Sequence, residues 1–533
     1  MMEHHSMDTD GPLLERFERE IWSKVPHLER GGDGGQGATV VGATPLIDIT
    51  EHLRECAKAA YRTDLPSPDL RVMGKLESEL LTGSIKVRPA VHIIHDAIKS
   101  GKLRDGQAVI EATSGNFGIA LGLLARLGLK VVALVSRRLQ EGVFAELRGE
   151  GVNIIDLDMD VCPAPGMKGN KDEVAARAAA ANIRAQMLNL GFPTGPFDDN
   201  MAGILELLQA QDIINLAKLL ARAYGCFCPA QYDNSLNPEA HRTVTAVETD
   251  QQLAAEGGSL DGYRIICTFG TGGTSAGFNE YMNDRYGQKA VHVVFPPVGQ
   301  DVAGIRTQAT ADGLSMYRPD SYEGQHIVDF EKARPLHRFF VKQKGLDIGE
   351  SSALALCAAM QMSIDGEAQR FVVIIADGVA KYRKAMEEAE RMEKQGKRGR
   401  IQVSLEDAAQ SADDYDRIVW VHPQYTPREE GLEVIAKSLG VSKDKIIVQK
   451  ASTVGQLLTD QKIPEEMSRD LQQHNDNEKG KCLLICMAGN TSLMATKVLV
   501  GNGIAAESLS GGITGLPESM MMSPGQLVKP ATD

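Results

Sequence analysis

Gly83-Ser84-Ile85-Lys86-Val87-Arg88, followed by Pro89 and by Ala90, Ile93, Ile94, Ala97 and Ile98, is the stretch that decides how this 533-residue chain is read. Pro89 stands at a first-turn position, where a missing N–H costs nothing. The apolar residues share one face at helical spacing, and Ser100-Gly101 stops the helix. Lys86 is therefore delivered at the mouth of a helix and held there. Small and apolar neighbours, with Leu80 and Leu81 upstream, desolvate the amine, lower its pKa toward neutrality and make it a nucleophile able to form a Schiff base. A snorkelling surface lysine is the plain alternative, and the company Lys86 keeps downstream decides against it.

With 43% hydrophobic and 24% charged residues, the chain has core enough for two to four domains. A net charge of -14 argues against a general nucleic-acid or anionic-membrane surface, so any phosphate must be held by local loops. Residues 1–10 carry neither a basic start nor an apolar core, so they form no signal or transit peptide and a cytoplasmic protein is expected. Residues 119–135, the most apolar long segment, are interrupted by Arg126 and Lys130 and fall short of a membrane span. The cysteines at 56, 162, 226, 228, 267, 357, 482 and 486 form neither a disulfide framework nor a paired CxxC pattern, and no metal site is expected.

Around Lys86, strands and helices alternate. Residues 108–112 read as a strand, Thr113-Ser114-Gly115-Asn116 as a polar turn, 119–127 as a helix and 130–135 as a strand, a βαβ unit. Its turn is either a Ser/Asn helix cap or a seat for a carboxylate or phosphate facing free N–H groups and the helix dipole. Residues 264–269 read as a strand that runs into Gly270-Thr271-Gly272-Gly273-Thr274 and then a helix. Three glycines allow close backbone approach and two threonines add hydroxyls, a cup for a phosphate dianion. The spacing is neither a Walker loop nor a dinucleotide fingerprint. Residues 291–295 and 371–376 are further buried strands, and Gly349-Glu350-Ser351-Ser352 opens another helix. The long segment 162–226 reads as packing helices with a surface loop, a lid or an interface.

These pieces, in this order, resemble the cysteine synthase and cystathionine β-synthase family of fold-type II pyridoxal phosphate enzymes. The resemblance rests on Lys86 in GSIKVR, the turn at 113–116, the stretch from Gln231 to His241 (QYDNSLNPEAH), the loop at 270–274 and the Ser351 turn, with Thr44-Pro45-Leu46 and residues 377–382 (DGVAKY) as opening and closing segments. It implies a two-lobed α/β fold like the tryptophan synthase β chain and a homodimer. It also implies a role for each matched position. Lys86 would carry pyridoxal 5'-phosphate and then act as base on the substrate α-proton. Gly270, Thr271, Gly272, Gly273 and Thr274 would bind the cofactor phosphate, Asn116 the ring hydroxyl and Ser351 the pyridine nitrogen. Thr113, Ser114, Gly115, Asn116 and Gln231 would receive the substrate carboxylate. A neutral hydroxyl at the pyridine nitrogen makes a weaker electron sink than an aspartate would, favouring loss of a β-substituent over transamination. Phe117 and Val87 depart from the family pattern, and segment 162–226 is longer than usual.

Beyond a polar connector, residues 417–421, 446–448 and 482–485 read as strands and 432–439 and 492–499 as helices, a small α/β domain. Cys486-Met487-Ala488-Gly489-Asn490-Thr491 at a strand-to-helix junction, with Gly511-Gly512-Ile513 further on, looks like a rhodanese domain, whose cysteine carries a persulfide in a curled loop. A buried inert cysteine is the other reading. Met487 and Thr491 stand where many rhodaneses carry arginine, which disfavours thiosulfate as donor.

The expected organisation is a flexible tail over 1–38, a pyridoxal phosphate domain over 39–395, a linker over 396–414, a rhodanese-like domain over 415–520 and a tail over 521–533. The expected activity is β-replacement on an activated serine, O-acetylserine or O-phosphoserine, by a sulfur nucleophile, with Lys86 and Cys486 as the catalytic groups. Its partners would be a small amino-acid substrate and a sulfur donor, with no nucleic acid and no membrane. The alternatives are a cysteine desulfhydrase running β-elimination, with the C-terminal domain as sulfur acceptor, and a C-terminal domain that only regulates.

Overall fold

The computed structural model describes residues 11–30, 38–65, 67–136, 140–157, 173–297, 300–394, 402–423, 425–460, 462–472, 481–487, 489–509, 511–513, 516 and 524–531. Strands β1 (Leu46–Asp48), β2 (Arg71–Leu76), β3 (Val109–Ala112), β4 (Val131–Ser136), β5 (Asn153–Leu157), β6 (Arg264–Thr268), β7 (Val291–Phe295), β8 (Gly324–Ile327) and β9 (Arg370–Ile375) build two sheets. The larger has the order β8-β7-β6-β9-β2-β1, parallel except where β1 meets β2, and the smaller is the parallel set β3-β4-β5. Parallel strands covered on both faces should be unbroken apolar runs, and β7 and β9 are buried along almost their whole length.

Register places the site. β2 and β9 pair from Arg71↔Arg370 to Leu76↔Ile375, so the chain leaving β2 toward Lys86 and the chain leaving β9 at Ala376 emerge side by side at the carboxyl ends of their strands, where open α/β sheets bind ligands. Helix Glu350–Asp365, rich in alanine and leucine and buried along most of its length, packs across β6 and β9. Segment 162–226 is core material over its described part. Helices Glu173–Asn189, Met201–Gln209 and Ile213–Ala223 cover β3 to β5 with Ile183, Ile204, Leu216 and Leu220.

Three expected boundaries are corrected. The supposed N-terminal tail is anchored over its described residues, because Leu13, Phe17, Ile21 and Val25 are buried against helices Val87–Lys99 and Asn116–Arg126. Arg16 also donates to the Leu127 carbonyl at 2.9 Å. The supposed linker contributes β10 (Gln402–Val403) to the C-terminal sheet, and Ser404 caps the next helix by accepting from the Asp407 N–H at 3.1 Å. The supposed C-terminal tail returns as Val528–Pro530, antiparallel to Tyr425–Pro427, with Leu527 and Val528 in the core.

That C-terminal body is a parallel sheet of β10, β11 (Tyr415–Trp420), β12 (Ile446–Val448), β13 (Lys481–Ile485) and β14 (Ala506–Leu509) in the order β10-β14-β13-β11-β12. Among the described residues no helix is long and apolar enough to cross a membrane, and no cluster of side chains is arranged to hold a metal ion.

Candidate active site

Lys86 is the residue before helix Val87–Lys99, as its sequence requires. The Ile85 N–H donates to the Ala376 carbonyl at 2.8 Å and Ser84 bridges Asp377, which ties the Lys86 turn to the end of β9. Two residues on, fully buried Arg88 donates to Glu77 at 2.6 and 2.8 Å and to Glu248 at 2.8 Å. Lys75 joins the same buried carboxylate of Glu248. A buried charge network so fully paired rigidifies the start of the helix. The Lys86 amine lies deep in protein and meets solvent only partly, through a cleft. Burial pulls its pKa below the ordinary lysine value against the opposing pull of Asp377 and Cys267. A free amine near neutrality is what a carbonyl-condensing lysine needs.

The cleft opens to solvent and, with the solvent space at its mouth, spans about 640 Å³. It brings together Lys86, Ser114, Asn116, Gln231, Gly270, Thr271, Thr274 and Ser351, eight of the expected residues. Thr113 is instead buried beneath the turn, its hydroxyl accepting from the N–H groups of Gly115 and Gly118 at 3.1 Å each. Gly115 caps helix Asn116–Arg126. Gly272 and Gly273 form the backbone of the cup rather than its wall. Cys486 belongs to the other body and is not brought here.

β6 delivers the cup. Gly272 has φ 92°, a left-handed conformation that glycine adopts without strain, and helix Gly273–Tyr286 begins at once, so N–H groups and a helix dipole face the cleft. A Cβ on Gly273 would lie 1.9 Å from Asn237 Oδ1, so only glycine fits. Asn237 in turn donates to the Gln231 carbonyl at 2.8 Å and to Thr271 Oγ1 at 3.0 Å, binding the cup to the substrate side. His241 approaches Thr274 Oγ1 at 3.4 Å, and burial holds its pKa well below the usual range, so it is neutral beneath the cup. The stretch Gln231 to His241 is thus mainly scaffold, with Gln231 and Tyr232 as its cleft-lining members. Gln231 follows Ala230, which has φ 53°. The buried carboxyl of Glu111 on β3 accepts from the backbone N–H groups of both, and burial pushes its pKa up to about 8.

Sequence reasoning missed what gathers around Asn116. Its amide nitrogen donates to Asp377 Oδ2 at 2.8 Å and its oxygen accepts from Lys381 Nζ at 2.7 Å, while Tyr382 donates to the same Asp377 oxygen at 2.6 Å. Lys381 thereby fixes which way the amide points, with its nitrogen toward Asp377 and Tyr382. Asp377 is 2% exposed, lines the cleft beside Ser351, and its Oδ1 has no hydrogen-bond partner. The segment 377–382 was legible as a closing turn, but nothing in a linear reading tells that two of its side chains reach Asn116 more than 250 positions earlier.

In the C-terminal body Cys486 ends β13. Its sulfur accepts from the Gly489 N–H at 3.1 Å and from the Ser492 hydroxyl at 3.4 Å, and Ser492 also meets Ser508 at 2.9 Å. Gly489 has φ 87°, and helix Asn490–Gly501 follows. Cys486 is 1% exposed.

A deep lysine with lowered pKa, a cup that a Cβ would fill, hydroxyl and amide donors around one cavity, and an orphaned buried oxygen on Asp377 fit an aldehyde cofactor bearing a phosphate. The model of the pyridoxal-phosphate dependent enzyme family matches residues 40–378, and the chain belongs to that family. Among curated proteins, it is 25% identical over 332 residues to a probable cysteine synthase of Bacillus subtilis (strain 168), covering 61% of this chain and 88% of that protein. It is 26% identical to cysteine synthase B of Pseudomonas aeruginosa, covering 65% and 94%, and 27% identical to the O-acetylserine dependent cystathionine beta-synthase of Bacillus subtilis (strain 168), covering 64% and 96%. A solved O-ureido-L-serine synthase matches 64% of this chain and 91% of its own at 21% identity, with a TM-score of 0.47.

Proposed function

We propose that the chain carries out pyridoxal phosphate-dependent β-replacement on an O-activated serine with a sulfur nucleophile, giving cysteine or a close relative. The observation that carries this reading is the meeting of Lys86, the 270–274 cup and the Ser114, Asn116 and Gln231 donors in one cleft. Similarity to cysteine synthases and to an O-acetylserine dependent cystathionine beta-synthase supports it.

Bound pyridoxal phosphate supplies an electron sink that lets the α-proton of an amino acid leave. The chain's own groups do the rest. The N–H groups and hydroxyls of Gly270 to Thr274 would hold the phosphate, and Asn116, its amide oriented by Lys381 and Asp377, would meet the ring hydroxyl. Ser351 would meet the ring nitrogen with a neutral hydroxyl. Ser114 and Gln231 receive the substrate carboxylate, while Thr113 and Gly115 shape their turn. Lys86, its pKa lowered by burial, would take the α-proton and return it. Phe117 lines the cleft where the family usually carries a small polar residue and narrows it with an apolar ring. The homodimer the resemblance implies is read by the mass of the purified protein in solution.

For the C-terminal body we read a sulfur-handling, rhodanese-like module. Its support is a cysteine at the carboxyl end of the middle strand of a parallel sheet, its sulfur facing an N–H and a hydroxyl at a helix start. In that role the Cys486 thiolate attacks the outer sulfur of a donor persulfide, forming one S–S bond as the donor's breaks and the donor leaves as its thiolate. The 1% exposure of Cys486 favours a second reading, an inert core cysteine.

The test presents purified protein with O-acetylserine or O-phosphoserine and sulfide, then with cysteine alone. Cysteine accumulating in the first mixture is the expected result. Pyruvate from cysteine alone would replace this reading by the β-elimination one, and no turnover of any β-substituted alanine would overturn both.

A further inference from the structure

Next to Gln231 lies a buried acid, Glu111 on β3, that no cation among the described residues pairs with. The chain at Phe227 runs beside β3, its N–H donating to the Ala108 carbonyl at 2.9 Å and its carbonyl accepting from the Ile110 N–H at 2.9 Å. That pairing stops at Pro229, which has no N–H to give, and Ala230 then turns into the left-handed region at φ 53°. The N–H groups of Ala230 and Gln231 leave the ladder, and the Glu111 carboxyl accepts both, together with that of Ala112. From the other side the Gln231 amide donates to the Ala112 carbonyl at 3.1 Å. One acid thus joins Gln231 to the strand that runs into the 113–116 turn, the two pieces that would seat a substrate carboxylate. The groups facing Glu111 are few. Cys228 Sγ lies 3.9 Å from Oε2, and burial with Glu111 beside it holds that thiol well above its ordinary pKa, so it keeps its proton. Lys218 on helix Ile213–Ala223 acts on the acid only through space and is itself paired with Asp233. β4 sets Ala133 opposite Glu111 and brings no titratable group, nor does the 113–116 turn.

We infer that Glu111 is a positioning residue that holds Gln231 to the substrate carboxylate as the neutral acid, so that seating the substrate draws a proton onto Glu111. This rests on the reading that Gln231 and Ser114 receive the substrate α-carboxylate. An ionised carboxylate buried behind the same residue repels that second anion through a medium of low polarity, and protonation removes the repulsion. Burial already pushes the Glu111 pKa up to about 8, so the acid is mostly neutral at pH 7 and must regain a proton to accept substrate above pH 8. The coupling is reciprocal: substrate raises the proton affinity of Glu111 by the same factor by which the proton raises the affinity for substrate. The balance is one proton from solvent for each ionised Glu111, with no bond to substrate formed or broken. Glu111 is 1% exposed and does not line the cleft, so its effect falls on KM rather than on kcat.

The experiment measures by calorimetry the binding of L-alanine to the pyridoxal phosphate-loaded protein at pH 8, in buffers of different ionisation enthalpy, for wild type, Glu111→Gln and Glu111→Ala. L-Alanine presents the α-carboxylate and α-amine but has no β-substituent to lose. Protons released by its amine are common to all three proteins, so the difference between wild type and Glu111→Gln reports Glu111. The expected result is an excess uptake of about half a proton in wild type, the share of Glu111 ionised at that pH. In steady state with a serine ester and sulfide, the wild-type KM for the ester should climb at least about fivefold from pH 7 to 9 relative to Glu111→Gln, whose amide keeps an acceptor and cannot ionise. Glu111→Ala orphans two N–H groups and should raise KM at pH 7 about tenfold with kcat within about threefold, and Glu111→Gln should recover most of the loss. Equal proton uptake in wild type and Glu111→Gln, or parallel KM profiles, overturns the inference. A Glu111→Ala protein that loses its visible absorbance on dialysis with KM unmoved assigns the acid a purely structural role and overturns it as well. Should Glu111→Ala fail to fold, the proton difference in Glu111→Gln decides. Failure of wild type to bind L-alanine at all fells the carboxylate-seat reading and this inference with it, whereas proton uptake without turnover of any serine ester fails the β-replacement reading alone.

Discussion

The helix starts at Gly272 and at Gly489 share one glycine conformation and face different things. Each follows an inner strand of a parallel sheet, each is capped by a left-handed glycine, Gly272 at φ 92°, ψ -6° and Gly489 at φ 87°, ψ -9°, and each opens a helix. The first looks into the open cleft and has no anion of its own. The second has a thiol folded into it, and Cys486 takes the N–H that a ligand would otherwise meet. The lesson is that a strand–glycine–helix junction makes an attractive place for negative charge, and the residue three positions before the glycine, Phe269 in one turn and Cys486 in the other, decides whether that charge is recruited or built in.

The largest expected effect breaks the comparison on the catalytic side. Lys86→Ala should lower β-replacement by at least about 10³-fold, because both the attachment and the proton transfer are lost, while the cup should still retain some cofactor. Steady-state rates and dialysis against buffer read the two. Next is Gly273→Ala, whose methyl would collide with Asn237 Oδ1. Retention of the cofactor's visible absorbance after dialysis should fall at least about tenfold, the consequence of displacing backbone N–H groups from a phosphate. The matching change in the other turn, Gly489→Ala, forces a Cβ into a left-handed conformation 2.9 Å from the Gly511 nitrogen. It should cost about 1–3 kcal/mol of stability. Calorimetric unfolding should show it while the visible absorbance is kept, and loss of the absorbance would mean that the two turns are not independent.

A smaller effect concerns Glu111. Its folded pKa, pushed up to about 8, lies above its ordinary value, so its contribution to stability is complete below about pH 4.5 and is lost as pH rises through about 8. Glu111→Gln removes this slope and should flatten the fall in stability between pH 5 and 9 by about 4 kcal/mol, read from denaturant midpoints across pH. An unchanged slope would show that the carboxyl is already ionised in the folded protein.

The catalytic turn could be read from sequence because all its parts are local. An apolar strand, a glycine run and a helix start fall within a dozen positions, and Lys86 announces itself by Pro89 and the apolar face behind it. What surrounds Asn116 could not, because Asn116 follows β3 in one sheet while Asp377 and Lys381 follow β9 in the other, a meeting that no local pattern encodes. The N-terminal segment failed for a different reason. Leu13, Phe17 and Ile21 do show a helical spacing, but a single short helix gains nothing by itself, and the glycine run after it reads as a joint. The connector failed likewise, since a strand as short as Gln402–Val403 leaves too few residues to reveal alternation.

Everything at the cleft turns on which amine the cofactor occupies. The direct measurement is to incubate the purified protein with pyridoxal phosphate, reduce with borohydride, digest and locate the pyridoxyl mass. Stoichiometric label on the peptide containing Lys86, and none in Lys86→Ala, is the predicted result. Label spread over surface lysines, or carried equally by the Lys86→Ala protein, would contradict the account.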